Sequence, residues 1–288
     1  MPAGTVITEP GVYGMPHAEY LADPVPGGSL SASAAKRLLP PSCPALFRHY
    51  QDHPPEPSPV FDFGHAAHQK VLGAGPEIVV IEADSWRTNA AKGKAREARE
   101  AGKTPLLTAE HEQVLAMAAA LREHPIASAL FDPDRGGKAE QSLFWQDYGS
   151  DVWRRARLDW LPDWRNIHQR PVIGDYKTTV CADPTAAIGK HVLNYGYHQQ
   201  AAWYLDGVRE LLPGSDPAFV FVFQEKTAPY LITVCELDDL AERAGRRRNA
   251  EAIERYRDCK EAGTWPGYSD DIELISLPPW AARIEEYA

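Results

Sequence analysis

Two acids and a lysine carry the chemistry to which this chain is suited. Asp159 lies in Arg157-Leu-Asp159-Trp-Leu, and Asp175 follows sixteen residues later in Ile173-Gly-Asp175-Tyr-Lys177-Thr-Thr. Each acid sits in or ends an apolar run of the kind that forms a buried strand, and Pro162-Asp-Trp-Arg-Asn between them has the composition of a hairpin turn. Pairing those strands would set the two carboxylates side by side. They would repel each other unless a cation lay between them, and oxygen ligands of this type suit a hard divalent ion, Mg²⁺ or Mn²⁺. Lys177 is two residues beyond Asp175, so on a strand it shares that face and points into the same cleft, where it would orient or deprotonate a water. Asp and Lys at this spacing are also common as a plain solvated ion pair, and the residues alone leave both readings open.

Further pieces occur in order along the chain. Upstream, Phe63-Gly64-His65-Ala-Ala-His68 has the form Gly-x-x-x-His on a helix of about 61–72, where Phe61, Phe63, Ala66, Ala67 and Val71 make an expected buried stripe. His68 is therefore read either as a metal ligand or as a packed structural histidine, with His65 on a neighbouring face as its rival. Downstream, Gln200 and Tyr204 are spaced i, i+4 and share one helical face. They are read as a border of the site or as ordinary packing.

The order Gly64-x-x-x-His68, Arg157-Leu-Asp159, Gly174-Asp175-Tyr-Lys177-Thr, Gln200-x-x-x-Tyr204 resembles the RecB-type branch of the PD-(D/E)XK nucleases. Within that branch the chain is most similar to the RecE (exodeoxyribonuclease VIII) group. Ser29-Leu-Ser31-Ala-Ser-Ala-Ala-Lys-Arg-Leu-Leu, Pro44-Ala-Leu-Phe-Arg-His-Tyr and Gln141-Ser-Leu-Phe-Trp also resemble it, so the likeness spans about residues 29–235. It implies an α/β restriction-endonuclease-like core, a mixed central sheet flanked by helices. His68, Asp159 and Asp175 would be ligands of one or two Mg²⁺ or Mn²⁺ ions, the Tyr176 carbonyl a further ligand, and Lys177 the catalytic lysine. Gln200, Tyr204, Arg157 and Glu140 would lie on the substrate side; Glu140 matches an acid that precedes Ser-Leu-Phe-Trp in the group. The implied activity is digestion of linear double-stranded DNA from its ends, leaving single strands for a RecT-like annealing protein in phage-type recombination. Alternatives with the same core are a single-strand exonuclease of the CRISPR-associated type or an endonuclease, and outside enzymes a DNA-binding or structural module.

The elements that must position these residues follow from periodicity and caps. At 288 residues and 44% hydrophobic content the chain can bury one large core. Residues 1–30, rich in Pro and Gly, read as an extended arm, and 31–288 as a single nuclease domain with a helical N-terminal part and a helical C-terminal extension. Ser31 or Ser33 is expected to cap a helix over 34–39. Helices are expected over 86–102 and 109–123, strands over 139–147, 152–161 and 170–177, then a helix opened by Asp183-Pro184 that continues through 194–212. Strands over 218–225 and 230–236 precede a long helix over 238–261. Cys43, Cys181, Cys235 and Cys259 are scattered, without the tight late group that iron–sulfur relatives of this branch carry, so free thiols and no cluster are expected. With no apolar run of membrane-spanning length and no signal-like start, a cytoplasmic protein is expected.

The net charge of −10 disfavours loose binding to an open DNA surface. Local basic runs occur at Lys92-Gly-Lys94-Ala-Arg96, Arg154-Arg155-Ala-Arg157 and Arg246-Arg247-Arg248. The first and third read as solvated faces, whereas alternation on a strand would turn at least one arginine of the second towards the cleft. An acidic chain of this kind fits a homo-oligomeric ring that encloses DNA in a channel.

Overall fold

The computed structural model describes residues 5–53, 59–163, 170–278 and 281. The N-terminal part runs β1 (Gly11–Tyr13), α1 (His17–Leu21), β2 (Leu30–Ser31), α2 (Ala32–Arg37), α3 (Pro44–Asp52) and α4 (Pro59–Leu72). Next come β3 (Ile78–Ile81), α5 (Asn89–Glu100), β4 (Thr104–Leu107), α6 (Thr108–Glu123) and α7 (Pro125–Leu130). The remainder is β5 (Lys138–Gln146), β6 (Trp153–Leu161), β7 (Val172–Thr179), α8 (Gly189–Asn194), α9 (Tyr197–Leu211), β8 (Ala218–Glu225), β9 (Ile232–Glu236) and α10 (Asp239–Ala262). Caps set several of these starts: the Ser31 hydroxyl accepts the Ala34 N–H at 3.3 Å, the Thr88 hydroxyl accepts that of Ala91, and the Asp238 carboxylate accepts that of Ala241.

Among the described residues the main sheet has seven strands, ordered β1-β5-β6-β7-β8-β9 with β2 beside β6. β7 and β8 are parallel, and the other neighbours on that path are antiparallel. Helices cover both faces. One core joins Leu38, Trp145, Leu158, Trp203, Phe221 and Ile253 beneath α2, α9 and α10, and the other joins Ala67, Met117, Ala127, Trp160, Tyr176 and Val222 beneath α4, α6 and α7. This is the mixed sheet between helical layers that an α/β element order requires. No helix among the described residues is long and apolar enough to cross a membrane.

One feature of the sheet matters most for the site. β5 runs along the whole of one edge of β6, whereas the other edge is shared between β2, at Arg154 and Arg155, and β7, which pairs only through Trp160 and Gly174. β6 and β7 therefore part company beside Asp159. Gly174 permits the approach of α7 at this fork: a Cβ there would lie 2.7 Å from Phe131 and 3.1 Å from Leu130.

The structure departs from the sequence expectations in several places. The helix expected to continue from 194 is broken, because Gly196 adopts φ +64°, a left-handed conformation open to glycine, and α9 starts at Tyr197. Phe61 is 59% exposed rather than part of the α4 stripe, while Asp62 is buried against Arg99 at 2.5 Å. The two-stranded sheet of β3 and β4, the helix α7, and the elements β1 and α1 within the first thirty residues carry no clear periodic signal. Residues 164–166 of the expected hairpin turn lie outside the described residues.

Candidate metal centre and active site

Asp159 is the hinge of the site. Its Oδ2 accepts the Tyr176 backbone N–H at 2.8 Å, substituting for a ladder bond where β6 and β7 separate. The same oxygen lies 3.5 Å from His68 Nδ1, which α4 brings in from above the sheet. Glu140 on β5 stands opposite Asp159, between the Ala139–Trp160 and Gln141–Leu158 pairs, and takes φ +55°. Such a backbone conformation costs a non-glycine residue roughly 1–3 kcal/mol. One ligand atom from each of His68, Glu140 and Asp159 lies within 4.8 Å of the others.

Asp175 and Lys177 share the next position along the fork. Asp175 is 1% exposed; Gln200 Nε2 donates to its Oδ1 at 2.8 Å, and Lys177 Nζ is 2.5 Å from its Oδ2. The contact to Oδ2 is a short, charge-assisted one, so both oxygens of this buried carboxylate face a donor. Tyr204 follows Gln200 by one turn, with its ring edge-on to Phe219 at 5.7 Å and its hydroxyl beside the Gln200 side chain. The Tyr176 ring packs edge-on against His68, with centroids 5.2 Å apart, and its hydroxyl donates to Gln224 Oε1 at 2.7 Å.

The arginines before Asp159 serve different neighbours. Arg157 donates to Glu140, to Ser142 Oγ at 2.8 Å and to the Met15 carbonyl at 3.0 Å, so it fixes Glu140 and clamps the N-terminal segment beside the cleft. Arg155 pairs with Asp23 and Ser29. Arg154 is sandwiched by Trp145 and Trp203 and pairs with Asp147 and Asp206 on the opposite side of the sheet. Of this basic run, Arg157 is the member that borders the carboxylates.

Burial dominates the electrostatics of the site. Burial pushes both Asp159 and Asp175 up to about 6, against the pull of Lys177. His68 is pushed down to about 4, first by burial and then by Lys177, so its imidazole is neutral with a lone pair to offer at neutral pH. Burial works to lower Lys177, but Asp175 and Asp159 outweigh it and hold the ammonium above the ordinary lysine range. Two opposed carboxylates, Glu140 and Asp159, and a neutral imidazole make a donor set suited to a hard divalent cation.

The model of a PDDEXK-like domain of unknown function (DUF3799) matches residues 31–278. The chain belongs to this family. Asp159 and, beyond the fork, Asp175-Tyr-Lys177 are the residues that the sequence reading matched to the two acids and the lysine of the PD-(D/E)XK pattern. The fold of this DUF3799 chain is also similar to the crystal structure of a "Putative exonuclease" from Eubacterium rectale, with 14% identity, a TM-score of 0.58, and coverage of 89% of this chain and 92% of that one. A second crystal structure, of the protein SSO0001, aligns at 13% identity over 68% of this chain and 85% of that one, with a TM-score of 0.29 that carries no argument. No curated protein sequence matches.

Two groups beside the cleft escaped the sequence reading. Lys36 of α2 and Tyr197 of α9 both approach Lys177, and the Lys36 and Lys177 ammonium groups lie 5.8 and 5.5 Å from the Tyr197 ring centroid. Lys36 sits in a quoted run, but nothing local reveals that it is brought beside residues so far along the chain.

Proposed function

We propose that this chain is a metal-dependent DNA nuclease of the RecE kind, which hydrolyses phosphodiesters of linear double-stranded DNA from its ends. The observation that carries the reading is the convergence of His68, Glu140 and Asp159 within 4.8 Å beside the Asp175–Lys177 pair. His68, Asp159 and Glu140 would hold a Mg²⁺ or Mn²⁺ ion, with Asp175 and the Tyr176 carbonyl as further ligands. When bound, such an ion supplies charge neutralisation at the phosphate and a nucleophilic water at neutral pH.

The residues have separable tasks. Asp159 is oriented by the Tyr176 N–H, Glu140 by Arg157, and Asp175 by Gln200, so each carboxylate is held before substrate arrives. Lys177 is paired with Asp175 beside the cluster, where it would hold the attacking water, counter phosphate charge or take the water's proton. Tyr204 backs Gln200.

By the same resemblance, the strand left behind is passed to a RecT-like annealing protein. A homo-oligomeric ring is the arrangement that lets a chain of net charge −10 hold DNA in a channel. The test is incubation of linear duplex beside a covalently closed circle with Mg²⁺ or Mn²⁺. Loss of the linear DNA alone is expected. Linearisation of the circle would replace the end-dependent reading with an endonuclease.

A further inference from the structure

Lys36 is a half-buried cation whose contact beside the cleft is neutral. Its ammonium donates to the Tyr195 carbonyl at 2.9 Å and lies over Tyr197; among the described residues no carboxylate forms an ion pair with it. Its stem lies against Gly196, where a Cβ would sit 3.1 Å from Lys36 Cδ, so the side chain is seated rather than trailing in solvent. Burial and then Lys177 pull its pKa down to about 8, against the opposing pull of Asp175. Lys177, by contrast, is already matched to Asp175.

Beside this cation is a ledge of aromatic rings. Tyr195 is 60% exposed, with ring centroids 5.7 Å from His191 and 5.6 Å from Tyr197. His191 Nδ1 is 3.3 Å from the hydroxyl of Thr179, two residues past Lys177 on β7, so the ledge is continuous with the catalytic strand. Tyr195 caps the end of α8 in a right-handed helical conformation, and the chain turns at Gly196 directly after it. A cation beside an exposed ring is the combination that holds single-stranded nucleic acid, phosphate on the charge and base on the ring.

We propose that Lys36 and Tyr195 form a binding site for one unpaired nucleotide next to the cleft, its phosphate on the Lys36 ammonium and its base against the Tyr195 ring. The site rests on the nuclease reading for its purpose, and it makes the strand entering or leaving the cleft single-stranded there. It is tested by fluorescence anisotropy with a fluorescein-labelled oligothymidylate and the full chain in EDTA, so that nothing is cleaved. Tyr195→Ala should weaken binding roughly 5- to 150-fold. Lys36→Ala should weaken it and lower the slope of log affinity against log salt by about 0.7, while Lys36→Arg keeps the slope. Tyr195→Ser, at an exposed position, serves as a second variant, and all variants should melt as the wild type does.

Unchanged affinity and slope in Lys36→Ala and Tyr195→Ala would overturn the site, as would a wild type that fails to bind the oligonucleotide. Because binding is read without metal, the two readings fail separately. A wild type that cleaves no DNA in any metal, yet loses oligonucleotide affinity in these variants, removes the nuclease reading and keeps the nucleotide site.

Discussion

Glu140 and Asp159 face each other across β5 and β6 at a position where the ladder is interrupted, and their carboxylates converge with His68. Like charges directly opposed on a sheet are destabilising. Here the opposition is maintained by added structure: Glu140 carries a left-handed backbone and an Arg157 clamp, and Asp159 is pinned by the Tyr176 N–H. Strain and repulsion of this kind cluster at functional sites, and these donor atoms could hold a cation.

Glu140→Gln should therefore weaken Mn²⁺ binding. Removing one charged ligand, with its Arg157 clamp reduced to a neutral contact, is expected to cost on the order of 10- to 100-fold in affinity. Isothermal titration calorimetry reads this directly, and wild-type affinity in the variant would remove Glu140 from the site.

Asp159→Asn should separate stability from function. The Asn oxygen can still accept the Tyr176 N–H, while the buried charge opposite Glu140 disappears. The metal-free protein should gain on the order of 1–3 kcal/mol at neutral pH, since ionising a carboxylate shifted from 3.8 to about 6 is then no longer required. Metal binding and cleavage should be lost together. Urea denaturation checks the first point, and a less stable variant would contradict it.

The pH response has a definite sign. Asp159 and Asp175 bind protons more tightly folded, at about 6, than unfolded at 3.8, so their contribution to metal-free stability falls as pH rises through that window. His68 runs the other way: lowered from 6.5 to about 4, it contributes stability that is lost as pH falls through that interval. An ion at the site must displace the carboxylate protons, so Mn²⁺ affinity should be full above about pH 7 and drop about 10-fold by pH 5 for each carboxylate it deprotonates. Affinity independent of pH over that range would contradict the ligand assignment.

Gly174→Ala should damage the fork by steric means. The added methyl meets Phe131 and Leu130, and moving α7 away costs typically 1–3 kcal/mol. The shift should appear in the urea midpoint. A neutral substitution would show that α7 yields without cost.

The central strands were legible because their apolar runs are local and strong; the expected 139–147, 152–161 and 170–177 appear as β5, β6 and β7 with ends shifted by one or two residues. The spacing of Asp159, Asp175 and Lys177 was legible for the same reason. What sequence could not show was pairing over distance. That Glu140 opposes Asp159 depends on the register of β5 against β6, and that Arg154 turns inward depends on Asp147, Asp206 and two tryptophans gathered from β5, the turn after it and α9. The interruption at Gly196 was hidden because a single glycine within a helical pattern is an ambiguous signal. The outward turn of Phe61 follows from a buried Asp62–Arg99 pair that joins α4 to α5, again a partner remote in sequence.

The most direct test of the account is digestion of end-labelled linear duplex by wild type and Lys177→Ala, each with Mg²⁺, Mn²⁺ or EDTA. The account predicts metal-dependent loss of the label from the wild type, none in EDTA, and a loss of rate of at least about 100-fold in the variant, as for other residues that act on the transition state. Intact DNA with the wild type in every metal, or equal digestion by Lys177→Ala, would contradict it.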